Sequence, residues 1–518
     1  MHCNCVFFLI FAILHFAICS KILGIAPTPS YSHHQLFKSL WRELVYRGHQ
    51  VTTITPFPIK DPELINLTEI DLSSSKRIWD ENLPGIVTSR KYISSHYRLA
   101  TTLFNVLEQQ LKLTEVQGLI NDTNASFDLV IAEFHMSAMF AFAERFNCPL
   151  IIVWTMDLTN FQHRMVGNPY NPVAYPDVYL PFLSKRLTLK ERVVGSVVSL
   201  MAYFHSQLIN HWEQGLVRKY FGYHYSHVQD LANNASLVFV NYNPVLNTIR
   251  PLMPSVIPIG DGSHHMPLKS LPKDLERMLS NNSGGFIYFS LGTNVRSIDL
   301  PKHTLDTIME TFSELPYTIL WKYEAYNLPN KPKNVVIRKW WPQRDLLNYP
   351  NIKLFITQGG LQSMEEAIYA HIPMVGIPVF CDQPGNVRQM IAKGIGLAVN
   401  LDNLNKASFK NTILEVINNP MYKMKVRELA KLAKDQPMTG MERAIWWTEY
   451  VLRHKGTPHL KISSALDMPW YHQYLSLDVI VLLLICSTLS IYVLYVVIAL
   501  IITNFMDYFD RQKKVKTI

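Results

Sequence analysis

Cysteine is nearly absent from the part of this chain that can fold. Six occur in 518 residues. Cys3, Cys5 and Cys19 fall in an N-terminal apolar run and Cys486 in a C-terminal one, which leaves Cys148 and Cys381. Two isolated thiols exclude a disulfide framework and a cysteine-based metal site. Cys381 has no evident basic neighbour to hold a thiolate and reads as a small buried filler. Charge is also thin, with Asp, Glu, Lys and Arg at 17% of residues, as suits a protein lying against a membrane. The balance is basic, 49 Lys and Arg against 40 Asp and Glu, a net +9. The basic residues are nevertheless scattered and form no stripe, so a solvated surface accounts for them and nucleic acid is excluded as a partner. No short internal repeat is visible.

What the chain has in plenty is apolar residues, 48% of the total. Two segments raise that figure. Cys5–Ser20 is too short to span a bilayer comfortably and sits at the N-terminus, so residues 1–20 read as a signal peptide. Val479–Met506 has no formal charge and exceeds the roughly 20 residues a membrane helix needs. Arg511, Lys513, Lys514 and Lys516 follow it. The positive-inside rule puts that tail in the cytosol and the bulk of the chain on the lumenal side, a single-pass type I arrangement. Lys514 and Lys516 have the K-x-K-x-x spacing of an endoplasmic-reticulum retrieval signal. Sequons at Asn66, Asn121, Asn124, Asn234 and Asn281 are individually weak signs of glycosylation. Val193–Trp212 also lacks formal charge, but its serines, histidines and asparagine argue against a second span. It reads as a helix that touches a membrane surface, or equally as a buried helix.

Strands and helices alternate in the remainder. Lys21–Pro27 is an apolar run, and Leu36, Phe37, Leu40, Trp41, Leu44 and Val45 follow at helical spacing before the strand-like Gln50–Thr55. Phe127–Ala132, a helical stretch and Pro149–Trp154 repeat the pattern. The class is α/β, with right-handed crossovers as the default. Asn241–Asp261 is rich in proline and glycine and reads as an interdomain linker, with the second domain starting at the apolar run from Phe286. The expected boundaries are 21–250 for an N-terminal domain, 251–460 for a C-terminal domain, 461–478 for a juxtamembrane linker, 479–506 for the span and 507–518 for the tail.

Lys339–Asn386 carries the most specific chemistry. The apolar run Ile352–Thr357 is followed by Gln358-Gly359-Gly360 and then by a helical stretch containing Glu365 and Glu366. A glycine pair between strand and helix lets a backbone approach a ligand, and the helix N-terminus offers free N–H groups to a phosphate. Trp340 and Gln343, upstream, combine a flat ring with an amide, which suits a base. A second apolar run, Met374–Val379, leads to Asp382-Gln383, a carboxylate beside an amide, which suits sugar hydroxyls. Base, phosphate and sugar together describe a nucleotide-sugar.

Trp340-Trp341-Pro342-Gln343, Gln358-Gly359-Gly360, Glu366-Ala367 and Asp382-Gln383 resemble the W-x-P-Q, H-G-G, E-A and D-Q signature of the UDP-glycosyltransferase family, membrane-bound enzymes that glycosylate small lipophilic molecules. Tyr288–Thr293 and Arg42–Thr52 resemble further family segments, so the likeness covers nearly the whole chain. Gln358 stands where the family usually has histidine, a substitution familiar in arthropod members. The resemblance implies a GT-B fold, two doubly wound Rossmann-like domains facing a cleft, plus the C-terminal transmembrane helix. It also implies that Trp340 stacks on uracil and Gln343 bonds the base or ribose. Glu366 would bond the ribose hydroxyls, Ser290, Gln358, Gly359 and Gly360 the pyrophosphate, and Asp382 and Gln383 the sugar. No metal and no cofactor follow from it; the co-substrate would be UDP-glucose or another UDP-hexose. Trp341 is expected in the core and Glu365 as a solvated helix charge.

Transfer to a hydroxyl requires a base. His33 lies directly after the first strand, at the active edge of a parallel sheet, and imidazole is the natural base at neutral pH. The family's catalytic histidine follows a serine eleven residues before a leucine, and Ser32, His33 and Leu44 reproduce that spacing. His34, its neighbour, reads as structural. Glu133 stands where the family places an aspartate that orients the histidine, one methylene longer, whereas Asp128 reads as structural. Tyr31, Phe134, Met136, Met139, Trp154 and Phe161 are candidates for the acceptor pocket. The reading is an inverting UDP-sugar transferase acting on small hydrophobic acceptors, with glucose as donor sugar, as in detoxification. The alternatives are a lipid or sterol transferase and a catalytically silent lumenal binding protein on the same fold. Self-association is left open.

Overall fold

The computed structural model describes residues 19–87, 92–180, 187–260, 268–282, 284–461 and 477–515. The expected signal peptide up to residue 18, the linker from 462 to 476 and Lys516 lie outside them. The chain separates into one compact unit ending at Lys461 and a second beginning at Ile462.

The first unit is built on two parallel sheets. Strands β1 (Lys21–Ile25), β2 (Gln50–Thr55), β3 (Leu67–Asp71), β4 (Leu129–Glu133), β5 (Leu150–Trp154), β6 (Leu237–Val240) and β7 (Val256–Pro258) form the first, in the order β3-β2-β1-β4-β5-β6-β7. Strands β8 (Phe286–Ser290), β9 (Thr318–Lys322), β10 (Val335–Arg338), β11 (Ile352–Thr357), β12 (Met374–Gly376) and β13 (Gly396–Ala398) form the second, in the order β10-β9-β8-β11-β12-β13. Both orders reverse between their first and fourth strands, β1/β4 and β8/β11. This is the doubly wound Rossmann topology, whose ligand crevice opens at the carboxyl ends of those strands.

The strands read as unbroken apolar runs because both faces are covered. Every residue of β4, β5 and β8 is buried. The pleat then sorts the side chains by parity. Leu23, Val130 and Ile152 enter one core layer, and Ile22, Ile131 and Ile151 the opposite one. Phe286, Tyr288 and Phe355 are divided from Ile287, Phe289 and Ile356 in the same way.

Seven helices matter below. They are α1 (Tyr31–Tyr46), α2 (Asn160–Met165), α3 (Leu189–Tyr220), α4 (Leu361–Tyr369), α5 (Gln383–Ala392), α6 (Gly440–His454) and α7 (Leu477–Val515). The apolar stretch Val193–Trp212 falls within α3, which begins at a capping box made by Thr188 and Glu191. Helix α7 contains Ile480–Met506, long and apolar enough to cross a membrane, and continues to Val515.

Two of the expected boundaries need correcting. Val256–Pro258, assigned to the second domain and to the linker, pairs with β6 and extends the first sheet. It is an edge strand, where proline is tolerated because the outer N–H has no ladder partner. Met441, Ala444, Ile445 and Val451 of α6, also expected in the second domain, pack among Phe37, Leu40 and Leu44 of α1. The chain therefore returns to its first domain after completing the second sheet.

Gly24 in β1 lies under α1, and a Cβ there would sit 2.7 Å from the Trp41 ring. Gly24→Ala should therefore destabilise the protein by about 1–3 kcal/mol through overpacking. Chemical unfolding monitored by tryptophan fluorescence checks this; an unchanged midpoint would mean that Trp41 repacks freely.

Candidate active site

Parallel pairing of β1 with β4 sets Ile25 opposite Ala132, so the residues just beyond both strands share one edge. Glu133 ends β4 and His33 lies in the first turn of α1. Their side chains meet, with His33 Nδ1 at 2.7 Å from Glu133 Oε1. The carboxylate is fully buried. Its other oxygen accepts the backbone N–H of Thr28 at 3.1 Å, and His135 Nδ1 stands 3.4 Å from Oε1. Burial disfavours the charged form, but hydrogen bonds from His135 and His33 and their charge outweigh it and hold the Glu133 carboxyl well below the usual carboxylate range. An ionised carboxylate only accepts. His33 must then present Nδ1–H to it, and Nε2 carries the lone pair. Thr155, one residue beyond β5, places Oγ1 2.9 Å from the same Nδ1.

His34 has a different role. Its Nε2 donates to the Thr28 carbonyl at 2.7 Å, and its Nδ1 takes the Thr55 hydroxyl at 3.1 Å. Burial lowers its pKa to about 4. It is a neutral, internally satisfied histidine, and both nitrogens are occupied in tying the β1 loop to β2.

The second sheet supplies the facing wall. Ser290 ends β8 and accepts the Gly292 N–H at 3.2 Å. Gly292 has φ +79°, and a Cβ there would lie 2.0 Å from Gln358 Nε2. The Gln358 amide thus bridges the loops after β8 and β11. Gly359 has φ +86° and almost touches Val387, while Gly360 caps α4. Trp340 is half-exposed, whereas Trp341 is buried in the core. The Gln343 amide donates to Glu366 Oε2 at 2.7 Å and to Ser363 at 3.0 Å, and its carbonyl accepts from the Tyr288 hydroxyl at 3.2 Å. Asp382 precedes α5 and accepts from Asn386 at 2.6 Å; the same amide nitrogen reaches the Gly359 carbonyl at 3.0 Å. Gln383 Oε1 accepts the N–H groups of Val379 and Phe380 at 3.0 and 3.1 Å and so fixes the turn.

The two walls face each other. The Tyr31 ring meets Trp340 edge-on at 4.9 Å, and Asn294 donates to Ser30 at 3.1 Å. Burial raises the Asp382 pKa, while Asn386 and the nearby charge of His33 work against that rise.

Some expectations fail here. Glu365 is not a solvated charge. It is 1% exposed and accepts from Asn241 at 3.2 Å, because this side of α4 faces the first domain. Of the acceptor-pocket candidates, Met136 and Met139 are fully buried core residues, and Tyr31 packs against Trp340 and Phe57. Trp154 lies 4.3 Å from the His135 ring. Four residues in contact with the candidate side chains escaped the sequence reading: Thr155, His135, Asn241 and Asn386. The carboxyl-edge rule that singled out His33 would also have found Thr155 and His135, which lie one and two residues beyond β5 and β4.

Ligand-type atoms of His33, Glu133 and His135 lie within 4.8 Å of one another. The 2.7 Å contact between His33 and Glu133 is nevertheless a hydrogen bond, with the two groups aimed at each other rather than at a common ion.

Residues 20–515 match the family profile described as "UDP-glucoronosyl and UDP-glucosyl transferase". The chain belongs to the UDP-glycosyltransferase family. It is 34% identical to UDP-glycosyltransferase UGT5 of Dactylopius coccus over 92% of this chain and 91% of that protein. It is 30% identical to UDP-glucuronosyltransferase 2B9 of Macaca fascicularis, over 92% of each, and to an ecdysteroid UDP-glucosyltransferase of Mamestra brassicae nuclear polyhedrosis virus, over 86% of this chain and 87% of that one. Among solved structures it resembles the calicheamicin glycosyltransferase CalG4, with TM-score 0.52 and 16% identity, covering 84% of this chain and 99% of CalG4. The spinosyn forosaminyltransferase SpnP gives TM-score 0.53 at 13% identity, covering 84% and 99%. The fold is GT-B, and the protein is a UDP-glycosyltransferase.

The depressed Glu133 carboxyl makes a testable contribution to stability. Its pKa is lower in the folded than in the unfolded transferase, so its contribution is complete above about pH 4.3, the unfolded glutamate value. That contribution fades as the pH falls toward the folded value. Thermal unfolding of wild type and Glu133→Gln between pH 7 and 3 should show a gap that narrows with acidification. A gap constant over that range would place the carboxylate's worth elsewhere.

Proposed function

We propose that this transferase moves glucose from UDP-glucose to a hydroxyl of small lipophilic alcohols and phenols, with inversion at the anomeric carbon. The observation that carries the mechanism is the 2.7 Å contact between His33 and Glu133 at the switch point of the first sheet. His33 Nε2 takes the acceptor proton, the acceptor oxygen bonds to the anomeric carbon, and the bond from that carbon to UDP breaks with its electron pair leaving on the phosphate. Glu133 holds the reactive tautomer and offsets the imidazolium charge. Thr155 and His135 position the pair.

On the donor side Trp340 stacks on uracil, and the Gln343–Glu366 pair serves base and ribose. Ser290, Gln358, Gly359 and Gly360 hold the pyrophosphate, and Asp382 and Gln383 the sugar. Neutral groups and backbone N–H at the phosphates support a reaction that uses no cofactor and no obligatory metal. Glucose is favoured by the arthropod-type Gln358 and by relatives named as glucosyltransferases. A steroid acceptor is the second reading, and the name of the ecdysteroid enzyme supports it. Ile480–Met506 would anchor the protein in the endoplasmic-reticulum membrane with the catalytic domains in the lumen.

His33→Ala should lower turnover of a phenol with UDP-glucose by about 10²–10⁴ while calorimetric UDP affinity stays near wild type. Full activity in that variant would overturn the assignment.

The two adjacent tryptophans should separate cleanly. Trp340→Ala should weaken UDP binding by about 1–3 kcal/mol through loss of a stacking face and leave stability nearly unchanged. Trp341→Ala should cost about 3–5 kcal/mol of stability through a core cavity. The reverse pattern in paired binding and unfolding measurements would shift the donor site by one residue.

A further inference from the structure

A second imidazole stands beside His33. Glu133 and His135 flank Phe134, whose ring enters the core. His135 Nδ1 reaches the same Glu133 oxygen, Oε1, that His33 engages, at 3.4 Å against 2.7 Å. The two ring centres are 5.0 Å apart and the planes tilted by 41°. That is closer than these contacts would allow if the rings faced each other across the oxygen, so they sit side by side on the carboxylate. Trp154 packs against His135 with ring centres 4.3 Å apart, and its own indole N–H is fixed on the Asp157 carbonyl at 3.0 Å. An ionised carboxylate only accepts, so His135 too presents Nδ1–H and keeps its lone pair on Nε2. Burial lowers its pKa, which favours the neutral ring. Among the described residues neither Nε2 has a protein partner, and neither is sealed from solvent as the Nε2 of His163 is. The side chains of His33 and His135 are 11% and 18% exposed. Two adjacent hydrogen-bond acceptors thus face the cleft, and the proton transfer proposed above uses only one.

We propose that His135 Nε2 accepts a hydrogen bond from a second hydroxyl of the acceptor, so that the enzyme selects catechols and diols, whose hydroxyls lie close together, over acceptors with one. The inference rests on the hydroxyl-acceptor reading given above. One hydroxyl gives its proton to His33 Nε2, and its oxygen bonds to the anomeric carbon as UDP leaves. The neighbouring hydroxyl keeps its proton and donates a hydrogen bond to His135 Nε2. This second bond fixes the rotation of the acceptor about the first, and attack depends on that orientation. An acceptor with a single hydroxyl displaces water from the His135 lone pair and gives nothing back. A site made to bond a hydroxyl rejects the analogue lacking it for that reason. His135 then touches substrate, in addition to its hold on Glu133.

The test measures kcat/KM of the full-length transferase with UDP-glucose for catechol, 2-methoxyphenol and phenol. The methoxy compound keeps the bulk and loses the second donor, whereas phenol loses both. Per hydroxyl, catechol should exceed each of the others by about fivefold, the worth of one neutral hydrogen bond. His135→Phe keeps a flat ring against Trp154 but has no nitrogen. It should slow all three acceptors through Glu133 and should also abolish the preference for catechol. A role confined to positioning would slow the three equally and leave the ratio unchanged, and that result overturns the inference. So does a wild-type enzyme with no preference for catechol, a comparison that does not depend on the folding of the variant. A preserved ratio with a raised KM for UDP-glucose overturns it in favour of a contact to the donor sugar. No turnover of any of the three by the wild type sinks the hydroxyl-acceptor reading itself.

Discussion

The active-site edge of the first domain is organised around one buried carboxylate. Burying an ionised glutamate costs several kcal/mol unless its oxygens are satisfied. Glu133 meets that condition with the Thr28 N–H, His33 and His135. Each partner comes from the loop after β1, the first turn of α1 or the loop after β4. Meeting the needs of one carboxylate thus fixes where His33 stands and which of its nitrogens is free. Parallel pairing of β1 with β4 makes this possible, since it brings two distant stretches of chain to the same edge.

The facing wall, on the second sheet, follows a different logic. Its polar side chains are locked by one another: Gln343 with Glu366, Gln358 against Gly292, Asn386 between Asp382 and Gly359. Such amide networks set a site's shape before ligand arrives, which reduces the ordering cost of binding. Glycine is required at positions 292 and 359, where φ is positive and any side chain would displace Gln358 or Val387.

The fold and most of the cleft were legible because their signals are local. Apolar runs of five or six residues, a glycine pair before a helix and a histidine after the first strand all lie within short windows. Side-chain partners separated by a hundred residues carry no local signal, and Glu133 was matched to His33 only through the family resemblance. Thr155 and Asn241 each lie one residue beyond a strand, and only their delivery to the cleft by β5 and β6 distinguishes them from other strand-end residues. Glu365 misled because a helical carboxylate beside another looks solvated until the partner domain covers it. Val256–Pro258 misled because a short strand ending in proline looks like linker, and α6 because nothing local announces a return to the first domain.

The central claim is that His33 and Glu133 act as one unit on the acceptor hydroxyl. A kinetic double-mutant cycle tests it most directly, with kcat/KM for one phenol measured in wild type, His33→Ala, Glu133→Gln and the double variant. If the carboxylate works only through the imidazole, the double variant will be no slower than His33→Ala alone. Losses that multiply would mean that the two residues contribute independently, and the dyad would have to be abandoned.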